Sequence, residues 1–119
     1  MKFSKTHEWI ELNDGVGTVG VSTHAQNELG DIVYVELPKI GKSVKAGEEA
    51  AVLESTKAAA DVYSPVSGTI VEVNQALTDQ SDLINSSPES QGWIFKIKIS
   101  DTKEWDALLD FTTYQAQLK

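Results

Sequence analysis

Short apolar segments broken by turn residues recur along the whole chain. Segments that are β-branched, aromatic or alternating lie at 9–12, 17–21, 31–37, 50–53, 62–66, 68–73 and 93–99. Asn13-Asp14-Gly15 separates the first two segments and is a strong hairpin signal, and Pro38 ends the third. Many short strands joined by turns are typical of a sandwich or barrel. The pattern therefore predicts an all-β fold with short helices.

The helical signals are few and local. Ser22 is a suitable N-cap and Gly30 a suitable terminator, so a short helix is predicted over 22–30, with Ala25 and Leu29 facing inward. A C-terminal helix is predicted after a cap at Asp101 or Thr102.

Three further predictions concern the second half of the chain. Residues 74–83 are predicted to form a polar loop, and Ser87 followed by Pro88 predicts a single helical turn. The C-terminal helix is predicted to place Trp105, Leu108 and Leu109 on one face, and 114–119 to add one more turn.

Composition limits the class of protein. The 119 residues suit one domain, spanning 1–119, and there is no cysteine for disulfides or thiolate metal sites. A net charge of −8 disfavours nucleic acid, and no apolar stretch is long enough to span a membrane. The first residues match no signal peptide, so a cytoplasmic protein is expected; a mitochondrial matrix protein is the alternative only if a presequence has been removed.

One lysine stands between two apolar segments. In the stretch 52–68, Lys57 is predicted to lie at the exposed end of a hairpin, next to the small residues Ala58 and Ala59. An amine there can be acylated, which removes its charge and lengthens the side chain. An isolated lysine in a turn is usually an ordinary surface residue, so only the surrounding sequence can indicate whether Lys57 is modified.

That surrounding sequence resembles the H-protein family of the glycine cleavage system. The resemblance rests on Glu-Ser-Thr-Lys-Ala-Ala-Ala-Asp-Val-Tyr-Ser-Pro-Val-Ser-Gly around Lys57, with Thr-His-Glu-Trp at 6–9 and His-Ala-Gln at 24–26. Leu-Gly-Asp-Ile-Val-Tyr-Val-Glu-Leu-Pro at 29–38, Leu-Ile-Asn-Ser-Ser-Pro at 83–88 and Gly-Trp-Ile-Phe-Lys-Ile-Lys at 92–98 add to it. The similarity extends over nearly the whole chain.

The resemblance implies a fold, a cofactor and a function. The fold would be a barrel-sandwich hybrid with a C-terminal helix, and Lys57 would carry lipoic acid as an amide. The arm would take an aminomethyl group from the decarboxylating glycine dehydrogenase to the aminomethyltransferase and be reoxidised by dihydrolipoamide dehydrogenase. A lipoate ligase or a lipoyl or octanoyl transferase would attach the cofactor, and the chain, expected to be a monomer, would catalyse nothing itself.

The resemblance also implies a docking site for the loaded arm. Thr6, Glu8 and Asp61 would hold its protonated amine, with Leu29 lining the cleft. Glu8 and Asp61 could instead be ordinary surface carboxylates, and Leu29 a core residue. The two histidines, His7 and His24, are too few for a metal site and are expected to be structural.

Several alternatives stay open. Thr56, Ala60 and Glu28 depart from residues common in the family, so the chain could be an H-like lipoate relay that serves no glycine cleavage. A biotin or acyl carrier is disfavoured because Thr56 and Ala58 stand where biotin carriers have methionines. A β domain whose lysine is never modified is the last alternative.

Overall fold

The structure is a computed structural model that describes residues 1–118. Its strands are β1 (Lys2–Phe3), β2 (Glu8–Asn13), β3 (Val16–Val21), β4 (Ile32–Glu36), β5 (Ser43–Val44), β6 (Glu49–Ser55), β7 (Ala59–Tyr63), β8 (Gly68–Val73) and β9 (Phe95–Ile99). The helices are α1 (Thr23–Leu29), α2 (Asp82–Ser86), α3 (Thr102–Asp106) and α4 (Phe111–Gln117), with a 3₁₀ turn at Gln75–Thr78.

The strands form two open antiparallel sheets. One has the order β1-β2-β3-β9-β8-β5, and the other has the order β4-β6-β7. The predicted all-β fold with short helices is confirmed, as two sheets that do not close into a barrel. Helix α1 connects β3 of the first sheet to β4 of the second.

Buried side chains of both sheets meet in one main core. Ile10 and Val19 come from the first sheet and Leu53 and Val62 from the second, and each is almost fully buried. Phe3, Trp9 and Tyr114 form a smaller cluster, in which the rings of Phe3 and Tyr114 stack with centroids 4.5 Å apart. This second cluster attaches α4 to strands β1 and β2.

Local sequence signals account for the elements that were predicted closely. Asp14 and Gly15 have φ of 52° and 79°, the positive values that a two-residue hairpin turn requires. The Ser22 hydroxyl accepts from Ala25 N–H at 3.2 Å and so caps α1, and Gly30 ends the helix with φ 81°. Phe95 and Ile97 of β9 face the core while Lys98 is exposed, the alternation that a strand with one buried face requires.

A strand was predicted at 62–66, and one is present in this part of the chain, but both of its predicted ends are wrong. The strand is Ala59–Tyr63, because the Ser64 hydroxyl donates to Val66 O at 2.6 Å in a local turn and Pro65 has no N–H for a ladder. Residues 43–44, which lie in none of the segments predicted to be strands, form the short strand β5.

The helical turn predicted from Ser87 and Pro88 is confirmed only as a hydrogen-bonded turn, in which Ser87 O accepts from Ser90 N–H at 3.2 Å, and not as a helix. Ser87 also ends α2, where its N–H donates to Leu83 O at 2.8 Å. Helix α2, which buries Ile84, begins at Asp82 and so overlaps the last two residues of the segment 74–83 that was predicted to be a loop.

The C-terminal prediction is confirmed in part. Asp101 caps α3 as expected, but that helix stops at Asp106, and Leu109 pairs through its backbone with Phe3 in an extended conformation. Helix α4 begins after an Asp110 cap, earlier than predicted, and the last predicted residue, Lys119, lies outside the described residues. None of the helices within 1–118 is long and apolar enough to cross a membrane.

Candidate functional site

The exposed lysine lies in the turn between β6 and β7. Ser55 organises this turn: its hydroxyl oxygen lies 3.1 Å from the N–H groups of both Lys57 and Ala58, which donate to it. Ser55 N–H also donates to Ala58 O at 2.8 Å. A serine hydroxyl therefore replaces the Asn-Gly or Asp-Gly chemistry of ordinary tight hairpins. The prediction that Lys57 lies at an exposed hairpin end is confirmed.

The Lys57 side chain lies against the end of helix α1. A Cβ added at Gly30 would lie 3.1 Å from Lys57 Cε and 3.7 Å from its Nζ. Thr56 N–H donates to Asp31 O at 3.1 Å, which fixes the turn to the chain that follows α1. Within residues 1–118, no carboxylate oxygen lies within ion-pair distance of Lys57 Nζ.

A cleft opens beside this junction. It encloses about 340 Å³ between the chain before β2, helix α1 and strand β7. Its lining consists of Thr6, His7, Glu8, Val21, His24, Ala25, Glu28, Leu29, Leu53, Ala60, Asp61 and Val62. Lys57 itself is not in the lining, but Leu29, which is, directly precedes Gly30.

Glu8 is a buried carboxylate inside the cleft wall. It is only 2% exposed, and its Oε1 accepts hydrogen bonds from the hydroxyls of Ser4, at 2.6 Å, and Thr6. Its Oε2 accepts from Tyr63 N–H at 3.2 Å. Burial raises the pKa of Glu8, and the hydrogen bonds from Ser4, Thr6 and Tyr63 oppose that rise.

The structure brings four of the five predicted site residues to this one cleft. Thr6 and Glu8 contact each other, half-buried Leu29 lies at the end of α1, and exposed Asp61 comes from β7 of the other sheet. The fifth, Lys57, lies next to the cleft through its contact with Gly30.

Sequence reasoning missed a group of ionisable residues at the same cleft. His7 and His24 have ring centroids 4.7 Å apart, and His24 Nε2 lies 3.2 Å from Glu28 Oε1. Burial and the nearby His24 lower the pKa of His7, while Glu28 acts in the opposite direction. The structural role predicted for both histidines is incomplete, because both also line the cleft.

The far end of the chain supports this group. Tyr114 of α4 places its hydroxyl 2.7 Å from His7 Nδ1 and 2.7 Å from Ser22 Oγ. His7 has φ 74°, a left-handed conformation that is uncommon for residues other than glycine. No group of three or more histidine, aspartate or glutamate side chains within 1–118 is placed to hold a metal ion.

Comparison with known families agrees with this geometry. The sequence profile described as "Glycine cleavage H-protein" matches residues 1–119. The chain belongs to this family. Its members are the lipoyl carriers of the glycine cleavage system, so the resemblance found in the sequence is confirmed.

Individual relatives support the family assignment over almost the full length. The H protein of Thermotoga maritima is 56% identical over 114 residues, which cover 96% of this chain and 92% of that protein. The H protein of Escherichia coli strain K12 / DH10B is 55% identical over 120 residues, covering 100% of this chain and 93% of that one.

A solved structure shows the same fold. The crystal structure of the glycine cleavage system H protein from Mycobacterium marinum superposes with a TM-score of 0.87 at 35% identity. The match covers 98% of this chain and 94% of that one. The two-sheet architecture is therefore that of an H protein.

Proposed function

We propose that Lys57 is the lipoylated residue and that the chain carries the aminomethyl group of glycine on this arm. The observation that supports the proposal most directly is the position of Lys57, exposed at a hairpin end and in contact with Gly30 beside an acidic cleft. The site and its chemistry fit the carrier role that defines the family.

The lysine meets the requirements for attachment of lipoate. Its side chain is exposed, and its neighbours Ala58 and Ala59 are small and exposed, which leaves room for a modifying enzyme. The Ser55 hydroxyl holds the turn in one shape, so the amine is presented on an ordered hairpin. Acylation would neutralise an amine that has no carboxylate partner among residues 1–118.

The cleft suits a cationic group at the end of a mainly apolar arm. When bound, lipoate supplies a disulfide that accepts the aminomethyl group on one of its sulfurs, and the amine of that group is protonated at neutral pH. Glu8 supplies a buried carboxylate, and Asp61 of strand β7 supplies a second one. Leu29 and Leu53 supply apolar wall.

Thr6 acts through Glu8 in this proposal. Its hydroxyl donates to Glu8 Oε1, alongside that of Ser4, and orients the carboxylate. A cleft that keeps water from the cargo slows its hydrolysis and so preserves the carbon unit during transfer.

The partners follow from the carrier role. The proposed route runs from the decarboxylating glycine dehydrogenase to the aminomethyltransferase and then to dihydrolipoamide dehydrogenase, with no chemical step catalysed by this chain. The enzyme that attaches lipoate, the cytoplasmic location, the monomeric state and the single domain over 1–119 stay predictions.

Replacement of Lys57 tests the proposed function. Lys57→Arg keeps the charge and the exposed position but cannot form the amide, so we expect it to fold normally and to lose at least about 99% of the glycine–bicarbonate exchange supported with glycine dehydrogenase. Lys45→Arg, at another exposed lysine, is the matched control and should exchange like the wild type. Undiminished exchange by Lys57→Arg would exclude the proposal.

A further inference from the structure

A buried chain of hydrogen bonds connects helix α4 to the cleft. It runs from the backbone of Ala25 through Ser22 Oγ and Tyr114 Oη to His7 Nδ1, with distances of 3.2, 2.7 and 2.7 Å. Ser22 is 0% exposed and Tyr114 2% exposed. Each hydroxyl has one hydrogen to donate, so the direction of the chain can be assigned from its members.

The fixed donor at one end sets that direction. Ala25 N–H can only donate, so Ser22 Oγ accepts there. If Ser22 also accepted from Tyr114, its own hydrogen would have no acceptor among the described residues in a site closed to water, an arrangement that is unfavourable. Ser22 therefore donates to Tyr114 Oη, and the only phenol hydrogen goes to His7 Nδ1.

We propose that the Ser22–Tyr114–His7 chain holds His7 as a neutral imidazole with its hydrogen on Nε2, so that helix α4 sets the charge of the cleft. A second proton on His7 would enter at Nδ1 and reverse both hydrogen bonds. The Ser22 hydrogen would then lose its acceptor. Tyr114 and Ser22 are positioning residues in this proposal, since neither lines the cleft.

The other ionisable groups around His7 include both acidic and basic side chains. Helix α1 contributes His24 and Glu28, Glu8 follows His7 on β2, Asp61 faces the cleft from β7, and Tyr114 comes from α4. Glu89, which accepts from Thr23 N–H at 2.7 Å, acts electrostatically on Tyr114 and contributes to raising its pKa. Protonated His24 would repel a second imidazolium at this distance, and burial of His7 acts in the same direction.

The consequence for the arm rests on the proposed function. A cleft that binds an ammonium loses affinity when an imidazolium appears in its wall. When His7 is neutral, it places no positive charge in the cleft wall to compete with an ammonium for the carboxylates of Glu8 and Asp61. The cleft would therefore retain the arm at mildly acidic pH, where an ordinary histidine is already charged.

The direct test is the protonation state of His7 in the unmodified chain. Long-range ¹H–¹⁵N correlation spectra of the imidazoles should show His7 with an unprotonated Nδ1 and a protonated Nε2 at about pH 7.5, a pH at which free histidine is neutral. A Nδ1–H tautomer, or a charged ring at that pH, would overturn the proposal.

Tyr114→Phe tests the role of the hydroxyl. It keeps the ring that stacks on Phe3 and removes the donor to Nδ1, so the titration midpoint of His7 should rise and both tautomers should appear. Ser22→Ala should have the same effect without altering the ring. Tyr34→Phe, at an exposed tyrosine, is the control and should leave His7 unchanged. An unchanged midpoint in folded Tyr114→Phe would also overturn the proposal.

A second readout separates this proposal from the proposed function. At about pH 6, cargo on lipoylated Tyr114→Phe should hydrolyse about fivefold faster than on the wild type, and at about pH 8 equally fast. Equal rates for the two proteins at the lower pH would contradict the effect on the cleft. If the wild-type chain gives no protection at any pH, the docking part of the proposed function fails, and the spectra alone decide the state of His7.

Discussion

At the scale of single residues, two opposing effects act on the charged form of Glu8: burial disfavours it, and hydrogen bonds favour it. Its side chain is almost fully buried, but three protein donors surround the carboxylate and oppose the effect of burial. Burial has the larger effect, so its pKa lies above that of an ordinary glutamate. An incoming ammonium would relieve this conflict, because it supplies the opposite charge that the site lacks when no arm is docked.

Glu8→Gln should therefore weaken docking of the loaded arm. The amide oxygen can still accept from Ser4 and Thr6, but the negative charge is lost, so docking should fall about tenfold or more, the usual value of a hydrogen bond to a charged group. The measurement is the rate of cargo hydrolysis on the lipoylated protein. Glu11→Gln, at an exposed glutamate of the same strand, is the control, and equal hydrolysis in the two variants would contradict the role given to Glu8.

The same residue gives a pH dependence with a definite sign. Because its folded pKa is raised, the folded chain keeps a proton on Glu8 that the unfolded chain has already released. The stability from this group is fully present below the ordinary glutamate pKa and is lost as pH rises through the folded one. Gln does not titrate, so the free energy of unfolding of Glu8→Gln should increase relative to that of the wild type as pH rises from the ordinary glutamate pKa to the raised pKa of folded Glu8. A difference that is flat in chemical denaturation would disagree with the raised pKa.

At the scale of elements, the end of helix α1 and the β6–β7 hairpin meet at Gly30. This glycine has φ 81° and ψ −157°, a combination that residues with a Cβ avoid, and it also lies in contact with the Lys57 stem. An arm attached to Lys57 would start beside Gly30, and the residue before Gly30, Leu29, lines the cleft.

Gly30→Ala should disturb the start of this path. We expect a loss of stability of about 1–3 kcal/mol from backbone strain and a several-fold faster cargo hydrolysis from the displaced lysine stem. Gly47→Ala is the matched control, since Gly47 has φ 85° but nothing within 4 Å of an added Cβ. Both variants should lose stability in denaturant titrations, and only Gly30→Ala should release cargo faster. Equal rates of cargo release from the two variants would show that Gly30 does not affect the arm.

The elements also show what sequence patterns can predict. The turn at Asp14-Gly15 and the caps of α1 depend on residues within the same few positions, so the sequence alone placed them closely. Ser87 carries an equally local helix signal, but only a turn follows it, and the helix of this region, α2, lies before Ser87 and buries Ile84 in the main core. Distant packing overrides a local preference in that case.

Some features of the candidate site could be predicted from the sequence, and others could not. Lys57 stands in a distinctive stretch, and the four other residues that the resemblance named all line one cleft: Thr6, Glu8, Leu29 and Asp61. The contact of His7 with Tyr114 spans 107 positions, and no periodicity or spacing could have predicted it. Ser55 was also missed, because its hydroxyl organises the turn only in the folded hairpin.

At the scale of the whole molecule, the cleft exists only when the two sheets are assembled. Glu8 comes from the larger sheet and Asp61 from the smaller one, while α1, which connects them, supplies a further wall. Helix α4 then joins the cleft to the second hydrophobic cluster through Tyr114. The fold therefore holds an exposed lysine next to a preformed cleft, which is the proposed site for the group that this lysine would carry.

Mass analysis of the chain is the most direct test of this account. The protein should be produced in cells supplied with lipoate and with an active lipoate-attaching enzyme, then measured intact and after proteolysis. We expect one added lipoyl group, located on the peptide that contains Lys57 and absent from Lys57→Arg. A chain that stays unmodified under these conditions, or that carries the group on another lysine, would contradict it.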